Sequence, residues 1–191
     1  MIEIEAKFKL ADGVVRSTVL EKIQKHLTEP LAEKHQIDTV FLLPEQVDKS
    51  IVTGSQIMRV RDVLDPKTGE LTKSLMTLKV HSANTLASQE YEFAVSDGTV
   101  ARRMLEVMGW QNVVTVDKLR AESKIANYGV CIDEVAKLGL FIELEVLAEG
   151  DAQVDVIQAQ MKEFLHSLRL EGEIWNIPYD TSIMNLKESA K

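Results

Sequence analysis

Glu3-Ile4-Glu5-Ala6-Lys7 opens the chain with charged residues at every second position, interleaved with Ile2, Ile4, Ala6 and Phe8. In a β-strand, residues i and i+2 point to the same face, so this stretch reads as a strand with one charged and one apolar face. Four further stretches repeat the pattern: Arg59-Val60-Arg61, Glu90-Tyr91-Glu92, Lys118-Leu119-Arg120 and Glu143-Leu144-Glu145, the last backed by Ile142, Leu144 and Val146. A solvated strand face usually mixes Lys, Thr, Ser and Gln, whereas these faces sort by sign. Carboxylates offer hard oxygen ligands to a divalent cation, and Arg and Lys suit a phosphate chain. The pattern supplies both.

Outward from the first strand, over 1–10, Val15, Val19, Ile23 and Leu27 repeat at four-residue intervals and predict a helix over 14–28, with Pro30 just beyond it. A β-rich run over 36–43 closes at Pro44. Runs over 56–64 and 72–81 flank the turn-forming segment Asp65–Glu70 and predict a hairpin. A strand over 89–95 precedes a short helix over 99–108, with Val100, Met104, Leu105 and Met108 on one side and Gly109 as its cap. Alternation returns over 112–122, and Asn127-Tyr128-Gly129 reads as a turn into strands over 130–135 and 140–147. Val154, Ile157, Met161, Phe164 or Leu165, and Leu168 mark a long amphipathic helix, and the tail from Glu171 carries Trp175 and Pro178-Tyr179.

About eight strands in sequence with three interleaved helices predict an α+β fold: a closed eight-stranded antiparallel β-barrel, or tunnel, with a charged lumen and peripheral helices. That lumen would hold Glu3, Glu5, Glu90, Glu92, Glu143 and Glu145 with Lys7, Arg59, Arg61, Lys118 and Arg120, and Lys79 and Asp133 join from neighbouring strands. Buried charges are costly unless they pair with one another or with bound ions, and the near-balanced signs reduce that cost. Glu90 and Glu92 are additional lumen carboxylates that equally suit a structural role beside an Arg. One domain over 1–191 is expected, with tunnel strands and helices over 1–170 and a tail over 171–191 packing on or near the tunnel.

The formal net charge of −8 argues against nonspecific nucleic-acid binding, and it requires a local cationic cluster for any anionic substrate. No apolar run approaches the roughly 20 residues needed to span a bilayer, and the opening residues lack a signal-peptide pattern. Cys131 stands alone, which excludes an internal disulfide, fits a cytoplasmic protein, and reads as a small buried hydrophobe. Neither G-x-x-x-x-G-K-[ST] nor G-x-G-x-x-G occurs, so side chains must hold phosphate. Arg59, Arg61 and Arg120 offer planar multi-donor contacts, and Lys7, Lys79 and Lys118 offer point charges. Clustered carboxylates holding Mg²⁺ or Mn²⁺ are their complement. His26, His35, His81 and His166 are scattered without ligand spacing, which removes a zinc reading, and no G-x-S-x-G elbow is present.

These residues resemble the CYTH family of triphosphate tunnel metalloenzymes, which joins class IV adenylyl cyclases to thiamine triphosphatases and inorganic triphosphatases. The resemblance covers nearly the whole chain. Glu3-x-Glu5-x-Lys7 is its most specific element, with Gln36-x-Asp38-Thr39-x-Phe41, Met58-Arg59-Val60-Arg61, Leu78-Lys79, Glu90-x-Glu92 and Lys118-x-Arg120 after it. Asp133-Glu134-Val135 and Leu138-Gly139-x-Phe141-Ile142-Glu143-Leu144-Glu145 complete the order. The resemblance implies metal binding at Glu3, Glu5, Glu143 and Glu145, catalytic roles for Asp133 and Lys7, and phosphate contacts from Lys7, Arg59, Arg61, Lys79, Lys118 and Arg120. It is nearest the class IV cyclase-like branch, although better-known bacterial members carry His-Phe ahead of the opening motif, where Met1-Ile2 stand here.

Two function classes follow. The first is an Mg²⁺- or Mn²⁺-dependent enzyme, either a cyclase converting ATP to cyclic AMP and pyrophosphate or a triphosphatase releasing orthophosphate from inorganic or thiamine triphosphate. The second is a non-catalytic polyphosphate- or nucleotide-binding module. Carboxylates repel phosphate unless a metal intervenes, which favours the enzyme. The helix over 154–168 and the tail either cover a tunnel mouth or form a homodimer surface.

Overall fold

The alternation at the start of the chain becomes a strand, and the same period recurs through a computed structural model that describes residues 2–47, 54–81, 88–149 and 153–189. In chain order the elements are β1 (Ile2–Leu10), α1 (Arg16–Gln24), β2 (Ala32–Leu42), β3 (Gln56–Leu64), β4 (Leu71–His81), β5 (Ser88–Val95), α2 (Gly98–Val107), β6 (Gln111–Ile125), β7 (Tyr128–Val135), β8 (Gly139–Ala148), α3 (Val154–Ser167), β9 (Gly172–Ile174) and α4 (Tyr179–Ser189). They divide into two compact units, Met1–Lys34 with Lys118–Pro178, and His35–Asp117 with Tyr179–Lys191.

In the first unit β6, β7, β8, β1 and β9 pair antiparallel in that order. One face of this sheet is apolar, with Ala6, Phe8, Ile132, Ile142 and Leu144 packing against Val19 and Ile23 of α1 and Met161 and Leu165 of α3. Fully burying such side chains contributes about 1.5–3 kcal/mol each before the entropy cost of ordering them. The first helix is shorter than the sequence predicts. Val15 is its extended N-cap residue, and the helix ends before Leu27 because Thr28 donates its backbone N–H to the Lys124 carbonyl on β6 at 2.8 Å. Gly129 also departs from expectation. Ala126 makes the turn at φ 54°, and Gly129 is the second residue of β7.

In the second unit β2, β3, β4 and β5 pair antiparallel in sequence order. The expected hairpin joins β3 to β4, its turn fixed by Asp65 Oδ1, which accepts from the backbone N–H groups of Lys67 and Thr68 at 2.8 and 2.9 Å. Phe41, Met58 and Val60 pack against Ala101 and Leu105 of α2. Asp97 caps that helix by accepting from the N–H groups of Thr99 and Val100, and Gly109 follows in the left-handed region at φ 93°. The predicted apolar side of α2 is only partly the buried one. Leu105 is 1% exposed, but Val100, Met104 and Met108 are 53%, 58% and 59% exposed. The Arg102 guanidinium donates to Asp62 on β3 at 2.8 Å, and this tether sets the rotation of the helix.

Two expectations about closure are corrected. There are nine strands among the described residues rather than eight, and the sheet is not closed into a barrel. Among the described residues β5 pairs with β4 and β9 with β1. The ninth strand comes from the tail, where Gly172–Ile174 pairs with the second edge of β1 over Phe8–Leu10. The tail also forms the fourth helix, α4. Mostly antiparallel sheet with four helices is the α+β architecture observed. Among the described residues no helix is long and apolar enough to cross a membrane.

Candidate active site

The face of the first unit's sheet opposite its apolar core carries the charges, because register brings alternate residues of four strands together. Glu5 lies directly across from Glu145, and Lys7 across from Glu143. Arg120 lies across from Asp133, whose other neighbour is Phe141. Arg120 grips Asp133 with two parallel bonds, Nε to Oδ1 at 2.7 Å and Nη2 to Oδ2 at 2.5 Å, while Lys118 Nζ approaches Oδ2 at 3.5 Å. Asp133 is fully buried and Lys118 nearly so. Glu143 Oε2 lies 3.7 Å from both Lys7 Nζ and Arg120 Nη2. Burial works against the Arg120 charge, but its bond to Asp133 and the charges of Asp133 and Glu143 outweigh that and raise its pKa. Burial, helped by the nearby carboxylates and opposed by Arg120, pushes the Cys131 thiol up to about 12. Cys131 sits on this face opposite Glu143, buried and protonated.

The second unit has its own charged face. Arg61 lies across from Asp38 and binds it bidentately, Nε to Oδ1 at 2.6 Å and Nη2 to Oδ2 at 2.7 Å. Arg59 donates to Thr77 at 3.0 Å and to Glu92 at 3.1 Å, and the Thr77 hydroxyl donates to the same Glu92 oxygen at 2.8 Å. Burial raises the Glu92 carboxyl, yet the Thr77 hydroxyl and the charges of Arg59 and Arg61 outweigh it and hold the group low. Lys79 pairs with Glu90 at 2.7 Å. Glu90 and Glu92 are thus each paired with a cation. Arg59 Nε and Gln36 Oε1 are buried and have no hydrogen-bond partner among the described residues.

Of the expected site residues, Glu5, Lys7, Lys118, Arg120, Asp133, Glu143 and Glu145 share one face in the first unit, and Arg59, Arg61, Lys79, Glu90 and Glu92 share one in the second. The Glu3 backbone continues β1, and its side chain lies outside the described residues. Sequence reasoning gave no role to Asp38 or Thr77. Asp38 was within reach, since Gln36-x-Asp38 alternates like the other charged strands, but its pairing with Arg61 depends on register. Thr77 carries no charge and left no signal.

The donor set suits a hard divalent cation. Glu5 and Glu145 lie directly opposed across β1 and β8 and carry hard oxygen donors of the kind such a cation takes. Among the described residues no group of three or more His, Cys, Asp or Glu is gathered as a metal cluster, Glu143 being turned toward Lys7 and Arg120.

Comparison with known proteins shows the family and the fold. A CYTH domain model matches residues 1–173. An adenylate cyclase candidate of Methanocaldococcus jannaschii is 26% identical over 175 residues, covering 91% of this chain and 93% of its own. Among solved structures, a Pyrococcus horikoshii protein superposes with a TM-score of 0.72 at 18% identity over 97% of this chain and 99% of its own. A Hippeastrum protein, an adenylyl cyclase candidate described as having a dominant triphosphatase activity, superposes with a TM-score of 0.65 at 14% identity over 97% and 96%. With sign-sorted strands in the family's order and a match over nearly its whole length, the chain belongs to the CYTH domain family, whose members are adenylyl cyclase and triphosphatase enzymes.

Proposed function

We propose that this protein is a divalent-metal-dependent enzyme that breaks a phosphoanhydride bond of a triphosphate, acting on ATP as a class IV adenylyl cyclase-like enzyme. The observation that carries the reading is the opposed pair Glu5 and Glu145 sharing one sheet face with Lys7, Lys118 and Arg120. Glu5, Glu143 and Glu145, with Glu3 beside them in sequence, are the proposed holders of Mg²⁺ or Mn²⁺. When bound, such a cation supplies charge neutralisation on phosphate oxygens and lowers the pKa of the attacking hydroxyl or water.

The chain's own residues do the rest. Lys7, Lys118 and Arg120 are the proposed phosphate contacts on the first unit's face, and Arg59, Arg61 and Lys79 those on the second unit's face, each set offsetting negative charge on phosphate oxygens. Asp133 holds Arg120 and Lys118 in place, so its proposed contribution to catalysis runs through the geometry of those two cations. Asp38 does the same for Arg61. Lys7, beside Glu143, is placed to bind phosphate next to the metal carboxylates. The substrate is a small triphosphate rather than a nucleic acid, in keeping with the net charge of −8, and the lone Cys131 supports a cytoplasmic setting.

The Methanocaldococcus jannaschii relative's name supports the cyclase version, and the Hippeastrum protein's described activity supports the hydrolysis version. Chromatography of products from ATP and from inorganic triphosphate, each with Mg²⁺ and with Mn²⁺, separates them. Cyclic AMP with pyrophosphate is the expected result. Orthophosphate release without cyclic AMP assigns the triphosphatase reaction, and binding without turnover leaves only a polyphosphate-binding module.

A further inference from the structure

Gly129 is the second residue of β7, with Lys124 across from it on β6 and Glu145 across from it on β8. Its backbone φ is outside the left-handed range, so no turn geometry calls for glycine here. The demand comes from a neighbour. A Cβ built on Gly129 would stand 2.6 Å from Glu145 Cγ and 2.9 Å from Glu145 Cδ, and its carboxylate Oε1 would be nearer still. Glu145 therefore lies across the backbone of β7 in space that any other residue would fill. Contacts this short involve most of the side chain beyond Cβ, so rotation of the terminal carboxylate alone does not relieve them.

We infer that Gly129 is a positioning residue for the Glu145 carboxylate: the missing side chain lets it lie against β7, on the face it shares with Glu5, and any side chain there would turn it away. The inference rests on the reading of Glu145 as a metal-holding group, which the opposed position of Glu5 supports. Groups that orient a metal ligand without touching the metal typically change affinity by roughly 10- to 100-fold when altered.

The test is calorimetric titration of Mn²⁺ into the substrate-free protein, with thermal unfolding alongside, for wild type, Gly129→Ala, Glu145→Ala and the double variant. Gly129→Ala is expected to weaken Mn²⁺ binding by about tenfold or more, Glu145→Ala to weaken it at least as much, and the double variant to match Glu145→Ala in affinity and unfolding temperature. Should Gly129→Ala alone be unfolded, recovery of folding in the double variant supports the same coupling. A double variant that is also unfolded overturns it, because glycine is then required by the backbone. Wild-type affinity in Gly129→Ala alongside loss in Glu145→Ala overturns the positioning role and leaves the metal reading standing. Wild-type affinity in Glu145→Ala removes that reading and the inference with it.

Discussion

Glu5 and Glu145 face one another across adjacent strands. Glu5→Gln should remove most of the stabilisation that Mn²⁺ provides, as thermal scans with and without the cation would show. An unchanged response to Mn²⁺ in this variant would place the metal elsewhere. Asp38→Ala tests the other face. It removes the bidentate acceptor of a largely buried Arg61 guanidinium and should cost about 3–5 kcal/mol in denaturant unfolding, against a smaller loss for Asp38→Asn. Cys131 gives a pH-dependent readout. Its thiol is raised from 9.0 to about 12, so the folded state holds the proton more tightly, and the associated stability is intact below 9.0 and declines as pH rises toward about 12. At pH 8 native Cys131 should react with iodoacetamide far more slowly than the unfolded chain, and equal rates would mean that the thiol is exposed. At this scale the alternation in sequence reveals which face a residue occupies. It does not reveal its neighbour, which is why Arg61–Asp38 and Arg59–Thr77–Glu92 emerge only once register is known.

α2 shows how far periodicity carries at the scale of an element. Val100, Met104 and Met108 form one stripe and Ala101 and Leu105 an overlapping one, and spacing alone does not choose between them. The Arg102–Asp62 tether and the close approach of Gly98, whose Cβ would lie 2.8 Å from Ser74 Oγ, select the second stripe. Leu105→Ala should accordingly cost about 2–5 kcal/mol, whereas Met104→Ala should change stability by less than about 0.5 kcal/mol. Similar losses at both positions in urea unfolding would contradict the observed rotation. Strands with sustained alternation, such as β1 and β8, and the hairpin around Asp65–Glu70 are legible because local pattern and turn chemistry agree. β9 is not. Three residues carry no period, and its pairing is set by the free edge of β1.

For the whole molecule, the alternation and the sign-sorted charges made the α+β class, the family and the residues sharing each charged face legible, while the ninth strand came from a tail without readable pattern. The central claim is metal-dependent attack on a phosphoanhydride, and Glu143 is where it is most exposed. This side chain neighbours both Lys7 and Arg120, and Gln preserves its shape while removing its charge. The decisive measurement is the initial rate of ATP consumption by wild type and Glu143→Gln, with Mn²⁺ and with excess chelator. The account predicts turnover to cyclic AMP and pyrophosphate by wild type with Mn²⁺, none with chelator, and at least about a 100-fold loss in Glu143→Gln, which corresponds to about 2.7 kcal/mol of transition-state stabilisation. Turnover that persists in chelator, or equal rates in the two proteins, would contradict it.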